Sequence, residues 1–188
     1  LMIFGLVTYA TKGVSFGAIE PTIPNMIIPK VNGFPTIIIW AVAAVAIVWF
    51  IWNKTTFGKN LYAVGGNPEA AAVSGISVFG VTMGAFILAG ILYGFGSWLE
   101  CARMVGSGSA AYGQGWEMDA IAACVVGGVS FTGGIGKISG VVVGVLIFTV
   151  LIYSLTILGI DTNLQFVFEG IIIITAVTLD CLKYVQKK

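Results

Sequence analysis

The stretch PTIIIWAVAAVAIVWFIWN, residues 35–53, contains no charged side chain. A helix needs about 20 predominantly apolar residues to cross the hydrocarbon core of a bilayer, so this stretch is long enough to span a membrane. Three more blocks of similar length and composition follow, at residues 79–99, 140–158 and 164–182. The sequence therefore predicts an all-α protein, a polytopic bundle of transmembrane helices.

The composition of the whole chain agrees with membrane insertion. Hydrophobic residues make up 58% of the 188 residues and charged residues 9%, and the mean hydropathy is +1.02. Soluble domains carry about 25% charged residues, so a soluble chain of this composition could not cover its surface with polar groups.

The same composition argues against several classes of function. The chain has no histidine, its three cysteines form no CxxC pair, and no serine, histidine and acid set or paired carboxylates suited to catalysis occur. We therefore expect no metal site, no catalytic residues and no cofactor held by this chain. A net charge of +1 without a basic run gives no indication of nucleic-acid binding.

Two apolar stretches are shorter than a span. Residues 1–10 amount to about half of one, so we expect residues 1–188 to be the C-terminal portion of a single transmembrane domain whose N-terminal spans are missing. Residues 118–131 are broken by Gly127 and Gly128, which predicts a broken or short membrane helix. Such an element either lines a cavity, where irregular backbone is tolerated in a membrane, or forms a loose hairpin of two short helices.

The positions of Lys and Arg predict an orientation. Cytoplasmic segments of membrane proteins are enriched in these residues, and a cytoplasmic location of loop 54–78, turn 132–139 and the C-terminus leaves only Lys12, Lys30 and Arg103 outside. This arrangement requires residues 118–131 to cross or enter the membrane. It places six lysines inside: Lys54, Lys59, Lys137, Lys183, Lys187 and Lys188.

Loop 54–78 contains GGNPEAAAVSG, residues 65–75, which reads as a short helix with both ends marked. Asn67 is a favoured N-cap, Pro68 suits the first helical position, and Glu69 lies where the helix dipole favours an acid. Gly75 can supply the left-handed residue that ends the helix. A helix this short is not stable alone in water, so it packs on its own membrane domain or on a cytoplasmic partner. The residues leave both open.

Glycines recur at a spacing of four, and this spacing places small residues on one helix face. In a membrane such faces allow close helix packing, either within the chain or between subunits. The sets are Gly80 and Gly84, Gly90 and Gly94, and Gly136, Gly140 and Gly144.

Three acids lie near the predicted outer ends of apolar segments: Glu117, Asp119 and Glu169. Glu169 is roughly 7–8 Å inside its block at 1.5 Å per residue. That depth is shallow enough to reach headgroups or a water-filled vestibule, so we do not interpret Glu169 as a buried proton relay.

Two longer blocks resemble a known family. GKNLYAVGGNPEAAAVSGI (residues 58–76) and GWEMDAIAACVVGGVSFTGGIGKISGVVVGVLI (residues 115–147) are similar to the permease subunit of bacterial ABC sugar importers in the ribose/xylose/galactoside branch, and to the galactose/methyl-galactoside permeases in particular. The C-terminal GIIIITAVTLDCLKYVQKK (residues 170–188) fits the same group. The resemblance extends from about residue 35 to the end, whereas the first 34 residues match poorly.

The resemblance implies a multi-pass subunit of the plasma (inner) membrane that imports a monosaccharide, galactose/methyl-galactoside or ribose-like. It implies a second permease copy (a homodimer), a cytoplasmic ABC ATPase subunit that binds and hydrolyses the ATP, and a periplasmic or surface sugar-binding protein. The permease itself would then be no enzyme. Movement of the ATPase pair would reshape the cavity between the permeases and expose the sugar path alternately to the two sides.

The resemblance also assigns residues. The E-A-A-x3-G signature of the ATPase-contacting loop matches Glu69, Ala70, Ala71 and Gly75, which with Gly66 and Asn67 would form the cytoplasmic coupling helix. The sugar path carries no motif, and Glu117, Asp119 and Glu169 are our candidates for it. The chain departs from the family pattern near Glu169. The resemblance implies a basic or neutral residue there, whereas this chain has an acid, within NLQFVFEG at residues 163–170.

Two other classes of function remain to be weighed. An ion-coupled secondary transporter or channel would need acids or histidines deep in the membrane, which this sequence lacks. A purely structural membrane subunit would not need residues 67–75.

Overall fold

The computed structural model describes residues 2–14, 29–31, 34–104, 108 and 112–185. Helices dominate this part of the chain: α1 Met2–Thr11, α2 Ile37–Lys54, α3 Thr56–Gly66, α4 Pro68–Val73, α5 Val78–Met104, α6 Trp116–Val126, α7 Ile138–Ile157 and α8 Thr162–Val185. Two strands of two residues each, β1 Lys30–Val31 and β2 Phe34–Pro35, pair antiparallel with Lys30 opposite Pro35. The predicted all-α class is confirmed.

Three of the helices are long and apolar enough to cross a membrane: α2, α5 and α7. They correspond to the first three predicted spans. The fourth predicted span, residues 164–182, lies within the 24-residue helix α8, which includes the apolar segment Leu164–Thr175. At most 11% of the most apolar window of any of the three long helices is buried, so lipid or further protein must cover these surfaces. Lys187 and Lys188 of the predicted cytoplasmic C-terminus lie outside the described residues.

The chain forms two compact units. The first comprises Leu1–Ile47 and Met83–Gln114. In it, Trp40 of α2 packs edge-on against Phe95 and Trp98 of α5, with ring centroids 6.0 and 6.3 Å away. Aromatic pairs favour this geometry because a ring edge is positive and a ring face negative.

The end of α5 carries a small polar network in the same unit. Arg103 forms an ion pair with Glu100 one turn before it, and the Tyr112 hydroxyl donates a hydrogen bond to the same carboxylate. This hydrogen bond raises the pKa of Tyr112, because the negative carboxylate stabilises the protonated phenol.

The second unit comprises Val48–Thr82 and Gly115–Lys188. Its core lies where α6 contacts both α7 and α8. Ala122, Ala123 and Phe148 are buried there, and Ile152 and Ile173 pack against them. The small alanines of α6 allow the longer helices to approach its backbone.

Glycines of α7 make this approach possible. A Cβ added at Gly144 would lie 2.6 Å from the backbone nitrogen of Gly127, and one added at Gly127 would lie 2.5 Å from the carbonyl oxygen of Gly140. For this set the glycine spacing therefore serves packing within the chain. At Gly90 and Gly94 of α5, an added Cβ would have no described atom within 4 Å.

The predicted short membrane helix is α6. Its 11 residues extend about 16 Å at 1.5 Å per residue, roughly half of the 30 Å hydrocarbon core. It ends at Gly127, and turns continue to Lys137, where the long α7 begins. Residues 115–137 thus contain a single short helix rather than a hairpin of two.

Candidate functional site

The start of α4 has the predicted geometry. The backbone of Asn67 is extended, and its side-chain oxygen accepts a hydrogen bond from the N–H of Ala70 at 3.0 Å. Pro68 occupies the first turn, where its missing N–H leaves no intrahelical bond unmade, and Glu69 lies beside it. These residues set the first helical position of α4 from local sequence alone.

The end of α4 is set by Gly75. Its φ of +82° is left-handed, a conformation that residues with a Cβ rarely adopt. The N–H of Ile76 then reaches the carbonyl of Ala71, and the N–H of Gly75 reaches that of Ala72, both at 3.0 Å. This is the double hydrogen bond of a Schellman motif, so the predicted helix stop is confirmed.

Helix α4 is buried at one residue and exposed on its other faces. Ala71 is 4% exposed, whereas Gly66, Asn67, Glu69, Ala70 and Gly75 are exposed. Val73 is 91% exposed. Five of the six predicted coupling residues therefore lie on a surface that another protein can reach.

α3 carries this helix and is itself fixed to α2. Thr55 accepts a hydrogen bond from the N–H of Gly58 at 3.2 Å and donates one to the carbonyl of Ile51 at 2.6 Å. Gly58 is buried, and a side chain there would collide with the backbone of Trp52. The chain can therefore pass from a membrane span to a new helix within two residues.

α3 also touches the turn between α6 and α7. The Tyr62 hydroxyl donates to the carbonyl of Gly136 at 2.8 Å. A Cβ at Gly65 would lie 2.7 Å from the backbone nitrogen of Gly134. Neither Tyr62 nor this pairing was predicted from the sequence. The available signal was the presence of two Gly-Gly pairs, at residues 65–66 and 133–134.

A second polar feature joins α6 and α8. The carboxyl groups of Asp119 and Glu169 lie close enough to influence each other electrostatically. Glu169 is 6% exposed. Oδ1 of Asp119 is buried and has no hydrogen-bond partner among the described residues. A buried carboxyl oxygen in this state can accept a hydrogen bond from a ligand hydroxyl.

Of the three acids predicted for the sugar path, the structure thus brings two together. Glu117 is exposed and lies two residues before Asp119, in the first turn of α6. Nearby, an added Cβ at Gly115 would meet the ring of Phe166 at 3.5 Å, so the first turns of α6 and α8 lie side by side. Groups of three or more histidine, cysteine or acidic residues suited to a metal are not found in the described part.

Comparison with known proteins points to a permease, as the sequence motifs do. The model of the family described as branched-chain amino acid transport system / permease component matches residues 1–177. The galactose/methyl galactoside import permease protein MglC of Treponema pallidum is 57% identical over all of this chain and 37% of its own length. That of Escherichia coli is 54% identical over 79% of this chain and 44% of its own.

A more distant relative is the ribose import permease protein RbsC of Bacillus subtilis, 42% identical over 79% of this chain and 46% of its own length. The chain spans less than half the length of each of these relatives. No solved structure matches. Because the family model covers nearly the whole chain and three of its helices can span a membrane, this integral membrane protein belongs to the branched-chain amino acid transport system / permease component family.

Proposed function

We propose that this chain is part of the transmembrane permease subunit of an ATP-driven ABC importer for a monosaccharide. Galactose or methyl galactoside is the first candidate sugar, since relatives 57% and 54% identical carry that name, and ribose is the second. These names favour an importer over the ion-coupled transporter considered as the alternative. The chain supplies the sugar path, and a separate ATPase subunit hydrolyses the ATP.

The observation that carries the proposal is the geometry of α4. A helix of six residues is too short to be stable by itself, and among the described residues of α4 Ala71 is the one that is buried. Its open faces carry Glu69 and small residues that let a partner approach closely. We assign this surface to a cytoplasmic ATPase subunit, which would grip α4 differently in its two states and so bias the permease toward one conformation.

The proposed orientation is supported by charge and by two contacts. α3, which lies in loop 54–78, touches the turn after α6, and both hold exposed lysines, Lys59 and Lys137. Cytoplasmic segments are enriched in such residues, so we place both segments in the cytoplasm. The first turns of α6 and α8 lie together at the other end of α6. This supports an outer location for the start of α8 and a cytoplasmic C-terminus.

We propose that Asp119 and Glu169 face the sugar path. A carboxyl pair with one buried oxygen unpaired offers a hydrogen-bond acceptor for a sugar hydroxyl, and such bonds distinguish polar ligands by geometry. Glu117 is exposed near the same end and would lie at the entrance of the path.

Further partners complete the proposed importer. The exposed apolar faces of α2, α5 and α7 require lipid and a second permease copy, and the open glycines Gly90 and Gly94 offer a face where a second copy can pack. A periplasmic or surface sugar-binding protein would deliver the sugar at the outer end. The location is the plasma (inner) membrane, with multiple passes.

The test is made in the assembled importer, with the ATPase and sugar-binding protein. Glu69→Gln, Glu69→Ala and Gly75→Val are each compared with the unmodified protein for ATPase co-purification and for sugar uptake into proteoliposomes. Glu69→Gln keeps size and removes charge, Glu69→Ala removes the side chain, and Gly75→Val strains the end of α4. We expect graded loss of ATPase binding, with uptake lost in parallel.

Two results would overturn the proposal. Normal assembly and uptake in a Glu69→Ala, Gly75→Val double variant would mean that α4 is dispensable, as a purely structural subunit requires. Uptake that stops with an ionophore and continues without ATP would assign the chain to the ion-coupled class.

A further inference from the structure

The contact between α3 and the turn after α6 has a role beyond local packing. We propose that Tyr62, Gly65, Gly133 and Gly134 form a mechanical joint, named here the glycine joint, through which movement of α4 reaches α6 and α7. The inference rests on the proposed function, because the movement originates in the ATPase. It makes Tyr62 and Gly65 positioning residues for transport.

The joint is a contact of backbone on backbone. A Cβ at Gly65 would lie 2.7 Å from the nitrogen of Gly134, closer than real Cβ atoms come, and 3.3 Å from its Cα, which is a tight contact. Gly133 and Gly134 have φ of +90° and +69°, which favours glycine. Because both residues are glycines, the turn presents its backbone without side chains. Because no side chain lies between the two backbones, no rotamer change can absorb a movement there. A displacement of one segment must therefore displace the other.

A hydrogen bond fixes the contact in one register. The Tyr62 hydroxyl donates to the carbonyl of Gly136 at 2.8 Å, one turn of α3 before Gly65. The glycine turn is also bonded within itself, since the N–H of Ser130 donates to the carbonyl of Ile135 at 3.0 Å. It can therefore move as one body.

Both ends of the joint lead to the proposed functional features. On one side, α3 ends at Gly66, and Asn67, the cap of α4, follows directly. On the other side, the turn joins α6 to α7, whose backbones touch at Gly127 and Gly140. The other end of α6 holds Asp119 against Glu169. A shift of α4 thus has a continuous packed route to the carboxyl pair.

Free volume beside the joint leaves room for this movement. A cavity of about 330 Å³ is lined by residues from both sides of the joint, among them Trp52, Tyr62, Val129 and Ile135. Close-packed interiors resist deformation, whereas side chains next to a cavity can take a second arrangement.

The test uses Tyr62→Phe, which removes only the hydroxyl, and Gly65→Ala, which forces the two backbones apart. Tyr153→Phe and Gly96→Ala are the matched controls, because Tyr153 is 68% exposed and a Cβ at Gly96 would meet no described atom within 4 Å. Each variant is reconstituted as the assembled importer, and sugar transported is measured per ATP hydrolysed, together with ATPase co-purification.

We expect both joint variants to bind the ATPase and hydrolyse ATP normally, and to transport roughly two- to thirty-fold less sugar per ATP. Both controls should keep the ratio of the unmodified importer. A parallel fall in uptake and ATP hydrolysis, or an unchanged ratio in both joint variants, would overturn the joint. Failure of the proposed function is separate from these results, since it would leave the unmodified importer without ATP-dependent uptake.

Discussion

Glu169 is buried in a helix of a membrane protein, and its carboxyl group faces a second carboxyl, that of Asp119. A charge buried away from water is costly unless it is paired, and two adjacent carboxylates repel each other. Protonation of either carboxyl group would remove one charge and the repulsion. The pair can then remain in place with one acceptor oxygen available.

We predict that Glu169→Gln keeps the fold and weakens transport. Glutamine has the same size and can donate a hydrogen bond to Asp119, so the thermal unfolding midpoint should be unchanged or higher. It changes which atoms can accept from a sugar. We expect the KM for uptake to rise about ten-fold, corresponding to about 1.4 kcal/mol of binding. We expect Asp119→Asn to have the same effects on the unfolding midpoint and on KM.

The comparison is Glu117→Gln, the same substitution two residues from Asp119 at an exposed position. It should raise KM less than Glu169→Gln does. Equal effects of the two variants would point to a general electrostatic influence on the path and would remove the special role of the pair.

At the scale of elements, the short helix α6 depends on glycines of its neighbour. Gly140 and Gly144 of α7 lie against the backbone of α6 around Gly127, and the buried alanines of α6 complete the contact. In lipid, helix association relies on such close packing because apolar side chains gain little by leaving the hydrocarbon.

We therefore predict that Gly144→Leu separates α6 from α7. Overpacking of a tight contact costs about 1–3 kcal/mol, so the thermal unfolding midpoint in detergent should fall by several degrees. Gly96→Leu, at a position where an added Cβ meets no described atom within 4 Å, is the control and should leave the midpoint near its original value. If both variants unfold alike, close packing at Gly144 is not what holds α6.

At the scale of the whole molecule, orientation is the property that links the site to its partners. In the proposed importer, α4 would meet the ATPase from the cytoplasm, and Asp119 and Glu169 would meet incoming sugar from the outer end of the path. The charge distribution and the α3–turn contact support this placement.

Accessibility of single cysteines tests the orientation. In a variant with the three native cysteines replaced by serine, Val73→Cys and Leu158→Cys are labelled with a membrane-impermeant maleimide. Both positions are exposed, by 91% and 74%. We expect Leu158→Cys to react in intact cells after outer-membrane permeabilisation and Val73→Cys to react only in inverted vesicles. The reverse pattern would contradict a cytoplasmic loop 54–78.

Much of the fold was predictable because it is local. Apolar length identified α2, α5 and α7, and Asn67, Pro68 and Gly75 marked both ends of α4, since capping depends on residues within one turn. The same local signals showed that α6 is short. The family motifs indicated α4 as the coupling element, a role that stays a prediction until it is tested with the ATPase.

The sequence by itself determined the class of protein, its long apolar helices and both ends of α4, because hydropathy, caps and glycine turns act over a few residues. Only the tertiary structure decided which distant residues meet: Asp119 with Glu169, Tyr62 with Gly136, and Gly65 with Gly134. Those pairings depend on how α6 packs between α7 and α8 and on how α3 reaches the turn after α6. Packing of that kind leaves no periodic trace in either partner's own sequence.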